Sequence, residues 1–273
     1  MSAVPGNLGL PPDHREALAR AVRLLERPSF AVKIADIAGL PVTRVLGALP
    51  GAAHRGLSKM LEAALFKCLE VAIQSLDGTP RRRPSRWLSK VVTGAAGGMS
   101  GVFGMAALPI ELPLTTMFML RSIAEIARHE GEDLKRLETG LACLEVFALG
   151  DGRSVKRGDV GYYATRAVLT QLTAEVAAVA AQRGTIDAAA PVVSRMVGEI
   201  AGHFGVAVSE RAAASALPII GALGGATVNV IFMDHFQRIA AGHFIIRRLE
   251  RRYGSATVRA LYQSHAERRP PTS

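Results

Sequence analysis

The sequence predicts an all-α fold, a single helical-bundle domain with two central glycine-rich apolar helices. Three observations predict it. Hydrophobic residues make up 49% of the 273-residue chain and recur mostly at helical spacing. Runs of β-branched residues between paired turn signals are scarce, and no Asn-Gly dipeptide stands between alternating apolar residues. Aromatics are only 5%, so the core must come from Ala, Leu, Val, Ile, Gly and Met, whose small members let helices approach closely. The length suffices for one sizeable core. The chain divides into a disordered lead-in (1–12), a helical domain (13–266) and a disordered tail (267–273).

The elements follow in order. Asp13 can cap a helix over 13–26, with Glu16 completing a capping-box-like start. Pro28 and Ser29 start a second helix with Phe30, Ile34 and Ile37 on one face, ended by Gly39 and Pro41. A third spans 42–49 and is broken by Pro50 and Gly51. A longer helix covers 53–76, its apolar stripe running from Leu57 through Leu61, Leu65 and Cys68 to Leu76. Arg81, Arg82, Arg83 and Arg86 then mark the clearest linker and the densest charge.

Two uncharged runs dominate the remainder. The first, 91–110, has 20 residues and contains Gly94, Gly98 and Gly101. After Glu111 a further nine uncharged residues follow, and Pro109 and Pro113 predict a bend, with a new helix over 113–130 that has proline in its first turn. Helices are expected over 132–149 and 159–182, the second capped by Gly184, and an amphipathic one over 185–204 broken or bent near Pro191. The second run, 212–233, has 22 residues and contains Pro218, Gly221, Gly225 and Asn229. A basic helix over 234–253 and a last helix from Ser255 complete the chain.

Several of these stretches carry a resemblance. Ala107-Leu108-Pro109-Ile110-Glu111-Leu112-Pro113, then Met119-Leu120-Arg121-Ser122-Ile123-Ala124-Glu125-Ile126-Ala127, then Gly131-Glu132-Asp133, resemble the central signature of EcsC family proteins. Leu217-Pro218-Ile219-Ile220-Gly221 through Gly225 to Asn229 is similar to the family's second signature, and Ala35-Asp36-Ile37-Ala38-Gly39-Leu40-Pro41-Val42 also fits. Together they cover roughly residues 30–250. The resemblance implies an α-helical bacterial protein. The family takes its name from a gene beside an ABC exporter, which implies a membrane context. It implies no agreed activity: the peptidase-like labels some members have carried bring no catalytic residues with them.

The residues themselves show no catalytic apparatus. None of the seven histidines forms an i, i+4 pair, and His129-Glu130 lacks the second histidine of a zincin motif, so no metal or cofactor is expected. Gly98-Met99-Ser100-Gly101 is one residue short of a nucleophile elbow and lacks a strand before it. No Gly-Lys-Ser/Thr follows the glycine-rich run, which fits helix packing better than a phosphate cradle. Cys68 and Cys143 fall on apolar helical patterns and read as buried small hydrophobes in a reducing compartment. The N-terminus lacks the basic and apolar segments of a secretory signal.

One polar stripe stands out. Glu111, Thr115, Ser122, Glu125 and His129 recur at helical spacings, and Arg121 can reach Glu125 one turn on. It reads either as a structural ion-pair array that fixes helix register, or as a buried polar site lining a cleft.

The formal net charge is +10, and from Asp234 onward eight arginines face three acidic residues, a local excess of +5. Arg247, Arg248, Arg251 and Arg252, with Arg81, Arg82, Arg83 and Arg86, are the candidate contacts for an anionic surface. Zinc-finger spacing, a helix-turn-helix and stacking aromatics are all lacking, so nucleic acid is not the expected partner. Both uncharged runs are long enough to span a bilayer, but Gly, Ala and Pro weaken them. The glycines and prolines named above, with Asn229, serve helix packing or membrane contact.

The expectation is a non-enzymatic accessory protein, cytoplasmic and peripheral to the inner face of the membrane, serving a transporter or secretion component. The alternatives are an integral protein with two spans and a peptidase-like hydrolase near Glu111, Glu125 and His129. The sequence leaves oligomeric state open.

Overall fold

The computed structural model describes residues 10–26, 30–43, 51–74, 108–150, 161–185, 187–215 and 225–267. These residues form α-helices and one 3₁₀ turn, with no strand among them. The helices are α1 (Pro12–Leu25), α2 (Phe30–Ala38), α3 (Gly51–Gln74), α4 (Leu108–His129), α5 (Leu137–Ala148), α6 (Gly161–Arg183), α7 (Ala190–Ser215), α8 (Gly225–Tyr253) and α9 (Ser255–Glu267). The chain is all-α, as its periodicity predicts.

α5 is the hub. Its residues from Leu141 to Ala148 are all buried, because the helix is apolar nearly all round and α3, α4, α6, α7 and α8 pack against it. Phe147 meets Phe204 of α7 and Phe236 of α8 at ring separations of 4.7 and 5.8 Å. Cys143 and Cys68 are buried in this core, and burial pushes both thiols up to about 12.

α8 is the longest rod, about 43 Å at the usual rise per residue. α1 lies along it, at a close approach that Gly242 permits. A Cβ there would stand 2.7 Å from Cγ of Leu25. Two polar contacts tie α1 to the end of the chain. His14 Nδ1 lies 2.6 Å from the Tyr253 hydroxyl, and Tyr262 donates to Glu26 at 2.7 Å.

Several expected boundaries move, each for a local reason. Asp13 is not the cap of α1: Pro11 takes that position and Pro12, its φ preset for a helix, opens the first turn. Ile37 is 52% exposed, and Ala31 and Ala35 join Phe30 and Ile34 on the buried face of α2 instead. No proline-marked bend separates two helices in α4, which starts at Leu108 and runs through Pro113. Leu112, Thr116, Met119 and Ile123 form its buried face, and that burial offsets the backbone bond that Pro113 cannot donate.

Residues 132–136 precede α5 instead of opening it. Gly131, with φ +80°, ends α4 in a left-handed turn, and the Glu132 amide bonds back to the Ala127 carbonyl at 3.0 Å. Pro191 does not break a helix, because it sits in the first turn of α7, where its missing N–H costs nothing. α7 then continues past Phe204 to Ser215.

Of the run 212–233, residues 212–215 end α7 and residues 225–233 open α8, and 216–224 lie outside the described residues. α8 continues without interruption from its uncharged part into the basic part after Asp234. Val228 and Phe232, 2% and 1% exposed, turn the uncharged part toward the core. Among the described residues no helix is long and apolar enough to cross a membrane. Most of the run 91–110, with Gly94, Gly98 and Gly101, lies outside the described residues. So do Pro218, Gly221, Arg81, Arg82, Arg83, Arg86, the tail after Glu267 and residues 44–50. Of the lead-in, residues 1–9 lie outside them too.

Candidate functional site

The densest polar chemistry lies inside the bundle, where α5, α6 and α8 meet. Glu145 projects from the apolar hub helix and His243 from α8, their side chains 3% and 0% exposed, with His243 Nε2 4.0 Å from Glu145 Oε2. Thr173 of α6 donates to Glu145 Oε1 at 2.7 Å. The Tyr162 hydroxyl, also on α6, lies 3.0 Å from His243 Nδ1. Burial is the largest influence on both ionisable groups. It pushes the Glu145 carboxyl up, against the Thr173 bond and the charges of Arg166 and Arg247. It pulls the His243 imidazole well below its ordinary value, helped by the same two guanidinium groups. The pair therefore favours its uncharged forms.

Two ion pairs flank it. Arg166 of α6 grips Glu250 of α8 through two bonds of 2.8 and 2.6 Å, and Tyr163 donates to the same carboxylate at 3.2 Å. Burial opposes the Arg166 charge, and the charge interaction with Tyr162, then the hydrogen bonds and charge of Glu250 and the charge of Glu145, outweigh that and hold it charged. Tyr162, Tyr163 and Tyr262 pack edge-on or stacked, with ring centroids 5.0 to 5.5 Å apart. On the far side, Arg247 donates to Glu132 at 2.8 and 3.2 Å, and Arg251 joins it on the same carboxylate. Burial pushes the Glu132 carboxyl up, and the bonds and charges of the two arginines more than reverse this.

A carboxyl, an imidazole and a phenol in sequence can hold and relocate a proton. In this arrangement they are sealed from solvent, so the chemistry open to them concerns the protein's own groups. Among the described residues no group of three or more His, Cys, Asp or Glu is arranged to hold a metal.

The polar stripe lies elsewhere. Arg121 and Glu125 form an ion pair of 3.4 Å with side chains 64% and 57% exposed, a geometry that stabilises little. His129 is exposed at the end of α4, Thr115 is half-buried, and Ser122 accepts a bond of 2.8 Å from Gln237 of α8. Glu111, Pro109 and Gly225 lie on described helix backbone whose side chains are not described, and Asn229 is half-buried in the first turns of α8.

Of the arginines expected to form an anionic-surface patch, the described ones are Arg247, Arg248, Arg251 and Arg252, and the first three are engaged internally. Arg247 and Arg251 hold Glu132, Arg251 also donates to the Glu130 carbonyl at 2.8 Å, and Arg248 pairs with Glu130 at 3.2 Å. Arg252 is exposed, with its guanidinium 5.9 Å from the Tyr253 ring centre.

Sequence reasoning did not single out Glu145, His243, Tyr162, Arg166, Glu250 or Glu132. A signal was present for two of them. Glu145 interrupts the run Leu141-Ala142-Cys143-Leu144 and Val146-Phe147-Ala148, and His243 stands in Ile239-Ala240-Ala241-Gly242 and Phe244-Ile245-Ile246. A lone polar residue on every side of which the helix is apolar must find its partner inside the fold.

The family signatures quoted above sit on this framework: the central one forms α4 and its exit, and part of the second opens α8. No curated protein and no solved structure matches the chain. The model of the EcsC protein family matches residues 69–249, which run from the last turns of α3 into α8 and leave out the resembling stretch on α2. The chain belongs to the EcsC protein family.

Proposed function

We propose that this protein is a non-enzymatic accessory protein that docks on the anionic inner face of the cytoplasmic membrane and there serves a transporter or secretion component. The observation that carries the reading is Val230, which stands 68% exposed in the helical part of the second uncharged run. An exposed apolar side chain gains meaning when a second one stands near it, as the start of an apolar contact surface. Ile37 of α2 is 52% exposed. Each lies one turn from a member of the Lys33–Asp234 ion pair, which joins α2 to α8 at 2.9 Å. Arg238 completes that group, bonded to Asp234 at 2.8 Å, so two cations stand beside the apolar residues.

The test is sedimentation of the purified full chain with vesicles. Binding to phosphatidylglycerol-containing vesicles at low salt, weakened by V230D and by added salt, is the expected result. Failure to sediment with anionic vesicles at low salt overturns the proposal. Binding that resists both high salt and carbonate overturns its peripheral character.

A further inference from the structure

Three helices close a ring of side chains around Glu145 and His243. α5 is joined to α6 by the Thr173–Glu145 bond of 2.7 Å, and α6 to α8 by the Tyr162–His243 contact of 3.0 Å. The third side, α8 to α5, is the 4.0 Å approach of His243 Nε2 to Glu145 Oε2, and Nε2 has no hydrogen-bond partner among the described residues. Two ionisable groups this close in a dry interior titrate as one unit. A net charge on the unit is costly there, and one proton makes it neutral.

We propose that Glu145 and His243 hold a single proton between them and act as a proton-operated latch on α6, the helix that Thr173 and Tyr162 tie to the pair. The dependence on pH follows from counting protons. When α6 opens, both groups meet water, where the carboxyl titrates near 4.5 and the imidazole near 6.5. Between those values the open pair also carries one proton, as carboxylate and imidazolium, so closing neither binds nor releases any. Above the window the open pair carries none, closing takes one up, and the latch weakens as pH rises. Below the window the open pair carries two, closing expels one, and the latch weakens as pH falls. Each proton so linked changes the opening equilibrium by up to about tenfold per pH unit.

The groups around the pair act on both of its members. Arg166 of α6 and Arg247 of α8 oppose a second proton on His243, and they also pull the Glu145 carboxyl down, which burial outweighs. They are themselves bound to Glu250 of α8 and to Glu132 before α5. Burial pushes up Tyr162 and Tyr163 of α6 and Tyr262 of α9, and it pushes Cys143 of α5 up to about 12, so these keep their protons across the window. α7 presents the uncharged Met196, whose sulfur lies 3.9 Å from the Thr173 hydroxyl.

The experiment is amide hydrogen exchange of α6 in the full chain from about pH 4 to pH 8, corrected for the intrinsic rate. The native protein should show level protection within the window and falling protection on both sides. Each variant leaves one group of the pair, and the two slopes then separate. E145Q should lose α6 protection as pH falls through 6.5, and H243N should lose it as pH rises through 4.5, each at up to tenfold per unit. Either variant keeping the native profile overturns the latch. If H243N does not fold, the E145Q slope decides alone.

Discussion

Arg166 and Glu250 face each other with both side chains 11% exposed, and neither has water to fall back on. Such a pair is expensive to break and cheap to replace, because losing one partner strands the other charge in the interior. Arg166→Met should therefore cost about 3–5 kcal/mol in urea denaturation. The double variant that also carries Glu250→Leu should regain most of it, because no charge is then left buried. Glu132 behaves differently with pH. Its folded-state value is depressed, so the stability it contributes is present above the ordinary carboxyl range near 4.5 and is lost as pH falls below it. Glu132→Gln should flatten the acid limb of the thermal midpoint against pH, measured by circular dichroism. Neither carboxylate was legible as a partner beforehand. Both pairs close between helices whose packing one-dimensional spacing does not reveal: Arg166 and Glu250 are 84 residues apart, Arg247 and Glu132 115.

At the scale of elements, the close crossing of α1 on α8 depends on a missing side chain. A methyl group at Gly242 would have to displace Leu25, so Gly242→Ala should cost about 1–3 kcal/mol. It should also raise hydrogen exchange in α1 before the rest of the bundle. The existence of this helix, like that of α2, α3, α6 and α9, was readable from apolar spacing and from the glycines and prolines at their ends. Two of the errors share an origin. Pro113 and the charge at Asp234 are local stop signals, and α4 and α8 run through them because burial of Met119 and Phe236 outweighs them. Pro191 differs, because it falls in the first turn of α7, where its missing N–H costs nothing. On α4, the exposure of Arg121, Glu125 and His129 was not legible, since spacing shows which residues share a face but not what that face meets.

For the whole molecule, the described arginines differ in what they hold. Arg166, Arg247 and Arg251 hold the bundle together, whereas Arg252 is exposed with no carboxylate bound among the described residues. Arg252→Ala should weaken sedimentation with anionic vesicles and leave the thermal midpoint within about 0.5 kcal/mol of stability. Arg247→Ala should lower the midpoint and leave vesicle binding by the folded fraction largely intact. The path of the chain carries a further consequence. α1 is made before α8 and α9, yet it packs on them, through Tyr253 and Tyr262, which are made more than two hundred residues later. During synthesis its apolar face, Leu18, Val22 and Leu25, has no berth until α8 has been released. The nascent chain must therefore be shielded while the helices between α1 and α8 are made, and a pause before α8 is released would prolong the interval in which α1 is open to chaperones or to a neighbouring chain.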